Sequence, residues 1–271
     1  MSIAITGATG QLGAHIIQQL LGTVGAGSIV ACVRDVGKAQ KYVNLGIEVR
    51  YCDYDSSDSL AQAFVGITKL LLISSSHHDD TIRLRQHAQV IEAAKNANVE
   101  HILYTSFAFL GKGYIAPSHL HLATEHAILT TGIAYTFLRN ALYMDFVHVF
   151  GLDEAITSGE LHIYPGDWKF NSVTREDLAE GIATVLSESG HTNKTYELTA
   201  SSPWTFQDLS DVLTDLTGKP IAVRQNPLIQ SWIYGFLKHI DAASTSNDLE
   251  NLLGRPTTSL RESIRNWIVM P

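Results

Sequence analysis

Two cysteines in 271 residues cannot build a disulfide framework. Cys32 and Cys52 both sit in apolar, strand-like stretches and are expected as reduced core residues. No apolar run approaches the roughly 20 residues that a membrane-spanning helix requires. The first residues carry neither a basic stretch nor a long apolar one, so a signal peptide is not expected. Without an export signal, the glycosylation-like Asn193-Lys194-Thr195 carries no meaning. Cations are short as well: Lys and Arg number 19 against 27 Asp and Glu, a net charge of −8. Phosphate-backbone binding needs clustered cations, so a nucleic-acid partner is not expected. What is plentiful is apolar material, 45% of residues, enough for a full core. A cytoplasmic protein off the membrane is expected, and its composition allows a homodimer.

The first half alternates short apolar runs with helix-like segments. Ser2–Thr6, Ser28–Val33, Ile47–Cys52, Lys69–Ser74, His101–Ser106 and Ala134–Leu138 read as strands. Between them Gln11–Leu21, Gly37–Leu45, Ser57–Phe64, Asp79–Asn96 and Leu120–Leu129 read as helices. Strand and helix alternating every 20 to 30 residues imply right-handed crossovers and a parallel sheet. The expected fold is α/β, a doubly wound parallel sheet of Rossmann type over residues 1–150. A smaller mixed C-terminal lobe is expected over 151–271, where Pro165, Pro203, Pro220, Pro227 and Pro256 break the chain. Helices are read there at Glu176–Leu186, Thr205–Leu216 and Thr258–Ile268, and strands at Tyr196–Leu198 and Ile221–Arg224. These pieces are too short to fold alone, so they are expected to rest on the sheet, some returning to it, and to close a cleft.

Chemistry begins at Thr6-Gly-Ala-Thr-Gly-Gln-Leu-Gly13, which leaves the first strand and opens the first helix. In a dinucleotide-binding turn Gly7 permits the tight bend, Gly10 admits the pyrophosphate, and Gly13 lets helix and strand pack closely. Thr9, Gln11 and Leu12 complete the loop, whose free amides face the phosphates. The second strand ends at Val33-Arg34-Asp35. An NAD enzyme usually carries an acid here for the ribose 2′-hydroxyl. Arg34, with Lys38 four residues on, fits a 2′-phosphate instead, although Asp35 blurs the signal. NADPH is therefore expected over NADH.

With these residues in place, the chain resembles the NmrA-like branch of the atypical short-chain dehydrogenase/reductases, most closely its bacterial quinone-reducing and triphenylmethane-dye-reducing members. Beyond the glycine loop and Val33-Arg-Asp35, the pieces carrying the likeness are Asp53-Tyr-Asp55, Leu72-Ile-Ser-Ser-Ser76, His121-Leu-Ala-Thr-Glu125, Tyr135-Thr-Phe-Leu-Arg-Asn140 and Val173-Thr-Arg-Glu-Asp-Leu-Ala179. The resemblance implies that Asp53 and Tyr54 border the adenine. It implies that Ser74, Ser75, Ser76, Thr105 and Ser106 line the nicotinamide half, with His121 near its ribose. Asn140 and Tyr143 would flank the substrate. After Arg139-Asn140 the chain departs from the pattern, reading Ala141-Leu142-Tyr143-Met144-Asp145-Phe146 where relatives tend to carry Gly-Trp-Tyr and then an acid-Asn pair.

Several constellations lead elsewhere. The Tyr-x-x-x-Lys pair of carbonyl-reducing relatives occurs only as Tyr234-Gly-Phe-Leu-Lys238, about 100 residues beyond the helix that should bear it. At the expected place stand His119 and His121. His77-His78-Asp79-Asp80 lacks zinc-ligand spacing and reads as a loop and helix cap. His121 and Glu125, four apart on a helix face, pair with each other or contact the cofactor. Trp168 and Phe170 either wall the cleft or belong to the core. The expected activity is hydride transfer from NADPH to a quinone or similar flat acceptor, without flavin or metal. The acceptor is expected between Ser106–Phe109, Phe107 included, and Asn140–Tyr143, with Trp168 above. His121 is the one weak catalytic candidate. The alternative is a non-catalytic, NADP-binding redox sensor of NmrA type.

Overall fold

The computed structural model describes residues 1–110 and 116–268. Six apolar runs become strands: β1 (Ile3–Ile5), β2 (Ile29–Val33), β3 (Glu48–Tyr51), β4 (Lys69–Leu72), β5 (His101–Phe107) and β6 (Ala134–Asn140). Between them lie α1 (Gln11–Thr23), α2 (Gln40–Asn44), α3 (Ser57–Ala63), α4 (Asp80–Asn96) and α5 (Ala116–Thr130). β7 (Leu142–Tyr143), α6 (Leu152–Ser158), β8 (Glu160–Ile163), β9 (Lys169–Phe170), β10 (Ser172–Val173) and α7 (Arg175–Ser187) follow. The chain then runs through β11 (Lys194–Leu198), β12 (Trp204–Thr205), α8 (Phe206–Thr217), β13 (Ala222–Gln225), α9 (Trp232–Leu237), α10 (Asp248–Leu253) and α11 (Leu260–Arg265).

Seven strands form one sheet in the order β11-β6-β5-β4-β1-β2-β3, every neighbour parallel. This is the doubly wound Rossmann-type arrangement. Alternate residues of each strand feed opposite layers, as the two-residue period requires. Ile3 and Ile5 pack with Leu12, Ile16, Ile17 and Leu20 of α1 and with Leu178 and Ile182 of α7. Ala4 faces the other way, into a cluster with Leu60 of α3, Val90 of α4 and Ile128 of α5. Because β1 has β2 on one side and β4 on the other, the connections diverge there and open a crevice at the strands' carboxyl ends.

The second half divides. Tyr196–Leu198, read from sequence as part of the lobe, belongs to β11, which pairs with β6 from Lys194↔Thr136 to Leu198↔Asn140 and closes that side of the sheet. α7 returns as well, packing its apolar face beside α1. The remainder builds a separate apolar cluster around Phe150, Phe170, Trp204, Phe206 and Tyr234. Phe170 is thus core. No helix among the described residues is long and apolar enough to cross a membrane.

Candidate functional site

The glycine loop is pinned before it turns. Thr6 Oγ1 donates to Leu71 O at 3.1 Å and accepts from Ile73 N at 2.9 Å, tying the end of β1 to β4. Gly7 then adopts φ +59°, a left-handed turn that favours glycine, and Gly10 N donates to Gly7 O at 2.9 Å. Gly10 is the N-cap of α1 and offers no side chain to cap it, so the first amides of the helix stay open to an anion. Gly13 is fixed by close approach: a Cβ there would lie 2.5 Å from Gly7 O. Leu12 is buried in the core beneath, so only its backbone can serve the loop. Gln11 lines a different cavity, with His15, Arg175 and Trp267.

A crevice of about 600 Å³ opens above this loop. Its walls include Gly7, Thr9, Gly10, Arg34, Lys38, Tyr54, Ser74, Ser75 and Ser76. Nine expected residues from four segments of the chain therefore meet at one place. Asp35 does not compete with Arg34 there. Its Oδ1 accepts from Gly37 N at 3.0 Å, and its Oδ2 lies 3.6 Å from Lys38 Nζ. Arg34 is exposed, with no carboxylate within ion-pair distance among the described residues. The Tyr54 hydroxyl donates to Ile73 O at 2.8 Å and contacts Thr6 Oγ1 at 2.6 Å; burial pushes its pKa up. Asp53 is not among the lining residues, and its Oδ1 accepts from Asp55 N at 3.0 Å.

The serine loop is held from behind by a face of α4 that the sequence reading left unused. Arg83 donates through Nε to Ser75 O and through Nη2 to Ser74 Oγ, at 2.9 and 3.0 Å. Gln86 Oε1 accepts from Ser75 Oγ at 2.5 Å, and His87 Nε2 accepts from Ser75 N at 2.9 Å. Burial pushes the His87 pKa down to about 3, which keeps that acceptor available. Thr105 Oγ1 receives Ser74 N at 2.9 Å. The spacing 83, 86, 87 marks one helix face, and that polar stripe was the available signal. The neighbouring Asp79 caps α4, accepting from Thr81 N at 2.8 Å.

At the far end, Ser106 is buried and donates to Glu125 Oε1 at 2.6 Å. Arg139 grips Glu125 at 2.7 Å and Glu197 at 3.0 Å. Glu125 therefore pairs with Arg139, while its helix neighbour His121 is hydrogen-bonded through Nδ1 to the Tyr104 hydroxyl at 2.7 Å. Burial pushes His121 down to about 3, so the ring is neutral. Phe107 stacks on it, ring centres 6.2 Å apart. Asn140 ends β6, and Tyr143 follows under the guanidinium of Arg175. Trp168 packs against the lobe's apolar cluster, as Phe107 does. Its Nε1 donates to Tyr164 O at 2.9 Å, and its ring contacts Tyr234 in the lobe's aromatic cluster. Tyr234 and Lys238 lie in that lobe too, Lys238 over the Tyr164 ring. They form no part of the crevice wall.

This geometry agrees with what the chain is similar to. The NmrA-like family matches over residues 1–238. Quinone oxidoreductase 2 of Escherichia coli (strain K12) is 38% identical over 280 aligned residues, covering 97% of each chain. Among solved structures, the Citrobacter sp. triphenylmethane reductase complexed with NADP(H) is 43% identical with a TM-score of 0.92, covering 99% of this chain and 100% of its own. The NADPH-dependent quinone oxidoreductase of Escherichia coli complexed with NADPH is 37% identical with a TM-score of 0.89, covering 98% and 99%. The chain belongs to the NmrA-like family.

Proposed function

We propose that this chain is an oxidoreductase that uses NADPH to reduce a quinone or a similarly flat, conjugated small molecule. The observation that carries the reading is the crevice, where the open amides of α1, Arg34 and the braced serine loop meet along one edge of the sheet. Whole-length likeness to a quinone oxidoreductase and a triphenylmethane reductase supports the choice of acceptor. When bound, NADPH supplies the hydride. Gly7, Thr9, Gly10 and the first amides of α1 take the pyrophosphate. Arg34 and Lys38 take the 2′-phosphate, and Tyr54 with Ser74–Ser76 forms the wall along the rest. The neutral His121, fixed by Tyr104, borders the nicotinamide ribose. The acceptor lies beside Phe107, Asn140 and Tyr143. Neither flavin nor metal has a role here. The one Tyr-x-x-x-Lys sequence, Tyr234 to Lys238, lies outside the crevice wall, which suits an acceptor whose reduced anion is delocalised better than an isolated ketone.

The test is oxidation of NADPH at 340 nm by flavin-free protein, offered benzoquinone, naphthoquinone or a triphenylmethane dye. Turnover above background with at least one acceptor is expected. Tight NADPH binding without turnover of any of them would overturn the reading in favour of a sensor.

A further inference from the structure

Asn140 is 3% exposed, and neither its Nδ2 nor its Oδ1 makes a hydrogen bond. Leaving both ends of a buried amide unpaired costs on the order of 1–3 kcal/mol per group, which marks this position as held for more than packing. Its place is well defined. Asn140 lies opposite Phe107 of β5, and its carbonyl accepts from Ala108 N at 2.9 Å. The amide therefore sits at the carboxyl edge of the sheet, where β5 and β6 end. Three residues on, Tyr143 is fixed by pairing with Val173 of β10. That pairing brings Arg175 across the tyrosine, its Cζ 4.2 Å from the ring centre. Asp145 in turn holds Arg175 in an ion pair.

The phenol thus has an amide and a cation beside it that oppose the upward push of burial, which still prevails. Burial pushes the Tyr143 pKa up, while the nearby Asn140 amide and the Arg175 charge pull it down, against a smaller opposing effect of Asp145. Tyr143 itself is half-buried and packs against the core beside α1 and α7. A tyrosine and a cation are the parts that Tyr-x-x-x-Lys supplies on one helix elsewhere. Here they come from two short strands.

We propose that Tyr143 is the proton donor to the reduced acceptor, with Asn140 and Arg175 positioning it and stabilising the charge it takes on. The proposal rests on the reductase reading above. Hydride transfer to a quinone leaves a hydroquinone monoanion. The Tyr143 O–H bond then breaks, its proton joins the acceptor oxygen, and the tyrosinate recovers a proton from water. No further oxidant or reductant is required.

Two acceptors separate this step from hydride transfer. A quinone needs the proton. A cationic triphenylmethane dye does not, because hydride addition gives a neutral product directly. In Tyr143→Phe the ratio of quinone to dye kcat should fall at least about tenfold, the low end of what a general acid contributes. Arg175→Met should move the same ratio in the same direction. Both rates come from one folded population, so partial unfolding cancels. A second readout needs no turnover: the NADP⁺-loaded protein should bind 4-nitrophenolate, a mimic of the anionic product, at least about fivefold more weakly in Tyr143→Phe by calorimetry. An unchanged rate ratio, or unchanged 4-nitrophenolate affinity, would overturn the proton-donor role. If the unmutated protein reduced neither acceptor, the reductase reading would fall and this proposal with it.

Discussion

Two glycines of α1 make a matched pair for testing the cofactor loop. A Cβ on Gly13 would lie 2.5 Å from Gly7 O and 3.0 Å from Ala8 Cα, both backbone atoms that cannot swing aside. Ordinary contact needs nearly an ångström more, so in Gly13→Ala the helix must lift from the loop. Overpacking of that kind costs about 1–3 kcal/mol. It also moves the amides that face the phosphates, so NADPH affinity should fall at least about tenfold, or about 1.4 kcal/mol. Gly22 lies in the same helix, exposed, with nothing within 4 Å of its notional Cβ. Gly22→Ala should therefore gain about 0.5–1 kcal/mol from helix propensity and bind NADPH unchanged. Urea unfolding at constant m-value reads the first effect and calorimetry the second. If Gly13→Ala matched the unmutated protein in both stability and affinity, the close-packing argument would be refuted.

Arg34 should favour NADPH over NADH by at least about tenfold in Kd, and Arg34→Ala should lose most of that preference; equal calorimetric affinities in the unmutated protein would count against the assignment. Asp177 is 1% exposed and accepts from Arg255 Nη2 at 2.8 Å and Thr258 N at 2.7 Å, pinning the C-terminal segment to α7. Asp177→Ala strands the Thr258 amide, while Arg255 keeps Glu180, and should cost about 1–3 kcal/mol in thermal unfolding, whereas a loss below about 0.5 kcal/mol would contradict that pinning. His87 and His121 are pushed down to about 3 in the folded protein, against about 6.5 unfolded. The unfolded chain then binds more protons between those values, so stability falls as pH drops from 7 to 5, by up to about 2 kcal/mol for each ring. His121→Gln should flatten that loss in urea titrations, and an unaltered slope would show that the ring is not held neutral.

The sheet and the glycine loop were legible because both announce themselves locally. Ile3–Ile5 and Leu70–Leu72 are apolar on both faces, and Gly7, Gly10 and Gly13 keep a fixed spacing between strand and helix. β11 was harder to place. Lys194, Thr195 and Glu197 are polar, and only pairing with β6, some sixty residues earlier, shows that the segment is a sheet strand. Ser106 was placed beside nicotinamide and acceptor by resemblance alone; its hydroxyl donates to Glu125, which no spacing rule reveals. Arg83, Gln86 and His87 match no chemical motif, although they brace the serine loop. Arg175 reaches Tyr143 through strands of two residues each, too short for any hydrophobic period to show.

The central claim is that hydride passes directly from the nicotinamide in this crevice to the acceptor. NADPH deuterated at either the 4R or the 4S position, given to flavin-free protein with a triphenylmethane dye, tests it most directly by mass spectrometry of the leuco product. One of the two labels should place a single deuterium on the central carbon of the dye, with retention in water. A product carrying only solvent hydrogen from both labels would contradict direct transfer.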